Sequence, residues 1–552
     1  MTTGLVTLLG SLLRRGVLVR ALLSFGAAFT AEWAFTVAIG LVAYAEGGAV
    51  AVGVVGFVRL LPAALLAPVV GAYADRIPRE RVLIASSLVR GATTLGAAAV
   101  LVAGGPILVV YGLAVVSTVA FTPFRAGHSA LLPSLCRTPE ELTMANVVRG
   151  ALDSVSVIVG ALLAAVLVAA LDVAAVLAFA GVFALVSAAL LVALRYERIP
   201  VPAPGSPRLS VQVRDGMAAV GAHPGLADVV GLVVLQAAIR GVFNVFVVVV
   251  AIDLLQGPES DVGVLTGALG IGALAGSVAC GLLVGSRAMA RWLGLAVVLW
   301  GAPLAIMGLV ELRVVALAAA ATIGVGNALV DVSAFTLIAR LAPNEVLARV
   351  FGVLESLGAL AVGAGALLAP ALIALLGAPR ALVVAGLVAP VVCALRWRRL
   401  RTIDRFVAVR TDDIALLRRV PMLRPLPVPV LEQLAAGVLS RDVGSGDVVF
   451  EAGDEGDVFY VVRSGSVDVL DGDRRVRGMG AGEGFGELAL LGSTPRTMTV
   501  RATSEAELRA IPSHLFLPAV TSMAGARAAA EATSRGYLGI DPDRPRPGPE
   551  LD

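Results

Sequence analysis

About twelve apolar runs of roughly 18 to 25 residues follow one another along this sequence, at 21–45, 48–73, 82–104, 106–127, 145–170, 173–194, 228–252, 262–286, 290–311, 314–338, 348–376 and 379–396. As helices, runs of that length cross the ~30 Å hydrocarbon core of a bilayer. Helices are what lipid permits there, because every backbone N–H and C=O must find its partner within the protein. The chain is 58% hydrophobic and 15% charged, with a mean hydropathy of +0.91, far from the range of soluble globular domains. The bias stops at Trp397, and residues 398–552 have an ordinary soluble composition. Two modules in two solvents are therefore expected, one of them with the lipid membrane as its partner.

The N-terminal "LVTLLGSLLRRGVLVRALL" continues into an apolar run to Ala45 with no small-residue cleavage site, so it reads as an uncleaved first span. There is no lysine, and most loop arginines sit on alternate loops: Arg14, Arg15 and Arg20; Arg76, Arg79 and Arg81; Arg125 and Arg137; Arg195, Arg198, Arg208 and Arg214; later Arg287, Arg291, Arg340, Arg349 and the cluster "RWRRLR", with Arg313 and Arg380 as exceptions on the opposite loops. Those loops are expected to face the cytoplasm. An even number of spans then puts both termini, and the soluble module, on the cytoplasmic side of the cell membrane. The net charge of +3 gives no support to a nucleic-acid partner. Cys136, Cys280 and Cys393 stand singly with no metal-ligand spacing, and read as small core residues.

An internal repeat is visible at an offset of about 200 residues: "PEELTMANVVRGALDSV" (139–155) and "PNEVLARVFGVLESL" (343–357) share P-x-E and a later G-x-L-acid-S core. Two six-helix halves joined by the polar segment 195–224 follow from it, an arrangement that rocks around a central site in transporters. Between the second and third spans stands "GAYADRIPRERVL". This loop resembles the G-x-x-x-D-R-x-G-R-R signature of the major facilitator superfamily at Gly71, Asp75, Arg76 and Arg79, with Pro78 and Glu80 departing from it. The resemblance covers about residues 15–400. It implies that fold for 1–397 and a gate-latching role for Asp75. The stretch "FTPFRAGHSALLPSLC…PEELTMAN" looks like the drug and siderophore exporter branch, although the fifth span, "SVIVGALLAAVL", lacks the Gly-Pro pair of many proton antiporters.

Charges inside spans mark a pathway, since each costs about 2.5 to 3.5 kcal/mol at the helix centre on insertion scales. Glu32, Arg59, Arg90, Arg240 with Asn244, Asn327 and Asp331 are of this kind. Of these, Glu32, Arg59, Arg240, Asn244 and Asp331 are the expected transport and proton-pathway residues. Glu32 is the first choice for a coupling carboxyl and Asp331 the second. Asp153 and Glu355, related by the repeat, are expected to pair with Arg149 and Arg349 one turn earlier. The remaining span residues are small and aliphatic, which suits a partly apolar small-molecule substrate better than a sugar.

In the soluble module a helical linker (398–420) precedes a short helix, "PVPVLEQLAAGVL", and then short β-branched runs separated by Gly-Asp and Ser-Gly turns, the pattern of a small antiparallel barrel. Within it, "GEGFGELALLGSTPRTMTVRA" holds close-approach glycines Gly484 and Gly486, the start of a short helix whose free N–H groups suit an anion, the acid Glu487 and the base Arg496. An acid beside an anion site makes sense if it meets a hydroxyl, as on a ribose. The segment closely resembles the phosphate-binding cassette of cyclic nucleotide-binding domains, over about 420–520. The resemblance implies that Glu487 accepts from the ribose 2′-hydroxyl and Arg496 binds the cyclic phosphate. Gly486, Leu488 and Ala489 supply backbone donors, and Thr497 meets phosphate or base. Either cAMP or cGMP fits, and Arg527 or Tyr537 in the C-terminal segment 523–552 is the candidate cap on the base.

Together these readings predict a membrane all-α major facilitator fold (1–397), a linker (398–420), an α+β jelly-roll-like cyclic nucleotide-binding domain (421–522) and a C-terminal helix and tail. The expected function is secondary transport, proton-coupled efflux, regulated by a cyclic mononucleotide. No enzyme activity, metal or cofactor is expected, and the oligomeric state stays open. The alternative is a non-transporting, membrane-anchored cyclic nucleotide receptor. A nucleotide-gated channel would need an Arg-x-x-Arg sensor helix and a filter loop, and neither is in the sequence.

Overall fold

The computed structural model of the chain describes residues 16–521 apart from 75–76, 137–138, 193, 195–208, 284–285, 287, 343 and 493, without 522–527, and then residues 528 and 529. The chain divides into two compact units, Met1–Asp404 and Arg405–Asp552.

The first unit is helical: α1 (Gly16–Ala74), α2 (Arg79–Val102), α3 (Ile107–Leu135), α4 (Pro139–Ala170), α5 (Val173–Val192), α6 (Leu209–Ala222), α7 (Pro224–Val249), α8 (Ser260–Ala279), α9 (Met289–Leu309), α10 (Arg313–Leu341), α11 (Asn344–Leu376) and α12 (Ala378–Leu417). Among the described residues eleven helices are long and apolar enough to cross a membrane, where the sequence gave about twelve apolar runs. The difference lies in α1, whose apolar part, Gly16–Leu66, is 51 residues long, more than twice the ~20 that one crossing takes. Its backbone leaves the helical region at Gly47 and Gly48. Gly48 has φ +59° with ψ −151°, a conformation that a Cβ forbids. Hydropathy separates the two runs there because the chain turns without a loop.

Helix α6 lies between the halves α1–α5 and α7–α12, and the repeated sequence opens α4 in one half and α11 in the other. The halves approach closely toward one end of the bundle, the end that carries residues 45–50 and 255–259. A Cβ on Gly263 of α8 would stand 2.5 Å from the Ala161 carbonyl of α4, and one on Gly53 of α1 2.4 Å from the Ala366 carbonyl of α11. On the same side the Tyr44 hydroxyl donates to Asp253, which sits in a π-helical turn, Val250–Leu254, that follows α7.

The second unit begins within α12 at Arg405, continues with α13 (Val428–Ala436) and folds into two four-stranded antiparallel sheets with α14 (Glu487–Gly492) between β6 and β7 in sequence, followed by α15 (Ser513–Thr521). The strands are β1 (Leu439–Val443), β2 (Val448–Phe450), β3 (Val458–Ser464), β4 (Ser466–Asp471), β5 (Arg474–Gly480), β6 (Gly484–Phe485), β7 (Thr499–Ala502) and β8 (Ala506–Pro512). Sheet orders are β1-β8-β3-β6 and β2-β7-β4-β5. Alternation along β3 explains the layering. Tyr460 and Val462 join Val467, Val500 and Leu508 between the sheets, while Phe459 and Val461 join a second core with Leu417, Leu423, Leu431 and Phe516. Both faces of β3 are buried, so it is the central strand. On β8, Arg509 is held by Asp413 at 2.7 Å and Glu507 at 2.8 Å. That buried pair fixes the segment around Asp413 to the sandwich.

Candidate functional site

Two places in the molecule gather the residues singled out in the sequence. In the sandwich, β6 delivers Gly486 and Glu487 to the mouth of a cavity of about 340 Å³, within the ~300–1,000 Å³ range of sites that enclose a small ligand. Its walls are mostly apolar, with Phe450, Val476, Met479 and Val500 beside Arg477, and its floor is the cassette. Gly486 has φ +93°, a left-handed turn that lets α14 start with its first N–H groups unused by the helix. A Cβ at Gly486 would stand 2.6 Å from Nη1 of Arg496.

Glu487 is 2% exposed and Arg496 4%. Arg496 Nη1 donates to the Gly486 carbonyl at 2.9 Å and Nη2 to the Val458 carbonyl at 2.7 Å, and the guanidinium lies 4.2 Å from the centroid of the Phe450 ring. Its backbone is fixed as well, N–H to Asp454 and C=O from Gly453, each at 2.8 Å. The cation is thus set in place by the fold. Two polar atoms stay buried without a hydrogen-bond partner, Nε of Arg496 and Oε2 of Glu487. Burial pushes the Glu487 carboxyl up to about 7, against the pull of its own N–H, Arg477 and Arg496. Burial also pulls the Arg496 guanidinium down, opposed by Tyr460, Asp457, Asp454 and Glu487. Thr497 is exposed at the cavity rim. An acceptor and a fixed cation, both desolvated and both short of a partner, fit a ligand that brings a hydroxyl and an anion together. The cap residues Arg527 and Tyr537 lie outside the described residues. The wall residues were not legible as a site, because they come from β2, β4, β5 and β7, far apart in sequence, and all but Arg477 are apolar.

In the membrane unit the charges form two groups. Glu32 pairs with Arg90 at 2.5 Å and stands 4.0 Å from Arg59, so the carboxylate chosen for a coupling proton is engaged by two guanidiniums. Elsewhere Arg240, Asn244, Asp331 and Glu355 keep accessible surface although they sit in helices of the bundle. Asp331 accepts from Asn327 at 3.4 Å and feels the fields of Arg240, Arg125, Asp153 and Glu355, which come from both halves. The expected pairings one turn apart do not form. Asp153 pairs with Arg125 of α3 at 3.2 Å, Arg149 donates to Ser129 at 2.6 Å, and Arg349 reaches Asp215 of α6 at 3.3 Å. Partners on other helices take these groups instead, Arg125 for Asp153, Ser129 for Arg149 and Asp215 for Arg349. Of the gate loop, Gly71 ends within α1, Arg79 starts α2 and donates to the Ala130 carbonyl, and Asp75 and Arg76 lie outside the described residues.

A sandwich with such a cassette, following a bundle of two repeated halves, defines a transporter-type membrane domain carrying a nucleotide-site domain. Comparison with known proteins agrees. Residues 21–224 match the Major Facilitator Superfamily model and residues 440–522 the Cyclic nucleotide-binding domain model, so the two parts of the chain are each similar to a different family. A cGMP-dependent protein kinase of Toxoplasma gondii is 39% identical over 87 residues, 16% of this chain and 9% of that protein. A cAMP-dependent protein kinase regulatory subunit of Blastocladiella emersonii is 45% identical over 76 residues, 13% and 19% of the two chains. The chain thus spans less than a fifth of the length of these curated relatives. The solved structure of the nucleoside transporter NupG matches with a TM-score of 0.60 over 70% of this chain and 99% of that one, at 10% identity, a likeness of fold alone.

Proposed function

We propose that the protein is a secondary transporter of the cell membrane, with both termini in the cytoplasm, whose transport is set by cAMP or cGMP binding to its C-terminal domain. The observation that carries the regulatory half is the pair of buried, under-partnered groups, Glu487 and Arg496, at one apolar cavity. Glu487 accepts from the ribose 2′-hydroxyl, Arg496 holds the cyclic phosphate, Gly484 lets β6 approach, and Gly486, Leu488 and Ala489 offer N–H groups. Thr497 stands at the rim for phosphate or base. The relatives that share this segment are cAMP- and cGMP-dependent kinase proteins, which supports a cyclic nucleotide as the ligand.

For transport, Arg240, Asn244 and Asp331 line the central path. Asp331 and Glu355 have no guanidinium within ion-pair distance among the described residues, so they are the carboxylates available to a coupling proton. Glu32, bound by Arg90, organises the site instead. The reading is proton-coupled export of a partly apolar molecule, drug- or siderophore-like. A mere membrane anchor has no use for buried Arg59 and Arg90, which weighs against a non-transporting receptor. A nucleotide acts only through its preference for one transporter state, and couplings of about 1 to 3 kcal/mol change activity roughly five- to 150-fold. The test is a thermal-shift titration of the full-length protein with cAMP, cGMP and 5′-AMP, followed by flux in vesicles with and without the binding nucleotide. Stabilisation by a cyclic nucleotide and a changed flux are expected. Binding without any change in flux would reject the regulatory link.

A further inference from the structure

The membrane unit buries more positive than negative charge at one place. Arg59 on the second arm of α1 and Arg90 on α2 converge on Glu32 of the first arm, and among the described residues Glu32 is the carboxylate whose field reaches either guanidinium. Arg90 has claimed it. Its Nη2 lies 2.5 Å from Glu32 Oε2, its Nη1 donates to the Ala28 carbonyl at 3.3 Å, and its guanidinium covers the Phe121 ring at 3.9 Å. Arg59 is left with weaker company: Glu32 Oε1 at 4.0 Å, Thr36 Oγ1 at 3.5 Å and the Phe35 ring at 5.0 Å. Arg59 is 9% exposed, and its Nε is buried without a partner. One carboxylate cannot neutralise two guanidiniums, and a buried charge with no counter-ion is costly.

Glu32, Thr36 and Gly40, spaced four apart, share one face of the first arm of α1 and are partly exposed, and Gly40 lies against Val248 of α7 in the other half. Beside the guanidiniums lies an aromatic cluster, Phe29 against Phe121 with centroids 5.2 Å apart. We propose that Arg59 docks an oxyanion of the transported molecule, a carboxylate or phosphate on a partly apolar body, whose charge balances the surplus cation. Guanidinium geometry favours this, since its planar fork takes an oxyanion through two parallel hydrogen bonds. The proposal rests on the transporter reading and narrows its substrate to organic anions.

The probes are benzoate and phenyl phosphate, with benzamide as the neutral match, added at constant ionic strength in chloride to the full-length protein in detergent. Thermal unfolding of the membrane unit is followed for wild type, Arg59→Gln and Arg59→Lys. Both anions should raise the wild-type midpoint saturably by a few degrees, roughly the shift of a ligand at ten times its Kd, while benzamide leaves it in place. Arg59→Gln, which removes the unpaired charge, should fold and lose the anion-dependent shift, and Arg59→Lys should keep part of it. The proposal is overturned if benzamide matches benzoate, if Arg59→Gln shifts like wild type, or if wild type shows no shift up to about 50 mM anion. It is overturned equally if phosphatidylglycerol in mixed micelles gives the shift and the water-soluble anions do not, which would make this a lipid site. A protein that keeps the shift and moves no solute in vesicles loses the transporter reading but retains the anion site.

Discussion

Replacing Glu487 with Gln should stabilise the nucleotide-free sandwich while weakening its ligand. A buried carboxyl moved from 4.5 to about 7 carries roughly 3 kcal/mol against its charged form, at about 1.4 kcal/mol for each tenfold. Because the folded-state value lies above the unfolded one, the folded protein holds more protons between pH 4.5 and about 7. Stability therefore falls as pH rises across that window and stays low above it. Gln has the same shape and no charge to bury. At pH 8 the variant escapes the full penalty, and at pH 5 it escapes little, since Glu487 is then mostly protonated in the fold. Hydrogen exchange of β3 and β8 amides in the full-length protein, variant against wild type at each pH, reads this directly. The variant's advantage at pH 8 over pH 5 should approach two orders of magnitude in the opening constant. The reasoning fails if the advantage is the same at both pH values, or if the variant binds cyclic nucleotide as tightly as wild type.

Three further outcomes follow from the same structure. Nucleotide affinity should drop as pH falls below about 7, with proton release on binding near pH 6, because the ionised Glu487 is the stronger acceptor for a hydroxyl; calorimetry in two buffers of different ionisation enthalpy measures it, and an affinity flat across that range would contradict the assignment. Arg496→Gln should weaken nucleotide roughly 10- to 150-fold, the worth of a charged hydrogen bond of about 1.5 to 3 kcal/mol, and Arg496→Lys should not restore it fully, since ammonium cannot serve both the Gly486 and Val458 carbonyls in the same geometry. Asp413→Asn should destabilise the sandwich by about 1.5 to 3 kcal/mol, the worth of one charged hydrogen bond, because Arg509 loses one of its two carboxylates and keeps Glu507 at 2.8 Å, and adding Arg509→Met should return part of that loss in a denaturation series.

What the sequence disclosed and what it hid divide along one physical line. Spans, the turn between the first two, and the cassette are local: hydropathy within a window finds the former, and Glu487 and Arg496 lie nine residues apart on either side of one short helix. The partners of the membrane charges are not local. Asp153 found Arg125 on another helix rather than Arg149 on its own, and Glu32 met Arg90 of α2, a residue noticed in the sequence as an in-span charge but not joined to any site. Likewise Phe450, which lies against the Arg496 guanidinium, comes from β2, almost fifty residues upstream.

The tight glycine crossings and the Tyr44–Asp253 hydrogen bond at one end of the bundle have a kinetic meaning. Under the proposed transport, rocking would have to peel that seam apart once in every cycle, so its cohesion would set how long the bundle stays closed at this end. Loosening it, as Tyr44→Phe should, would then shorten that interval without touching any of the groups proposed to meet the substrate.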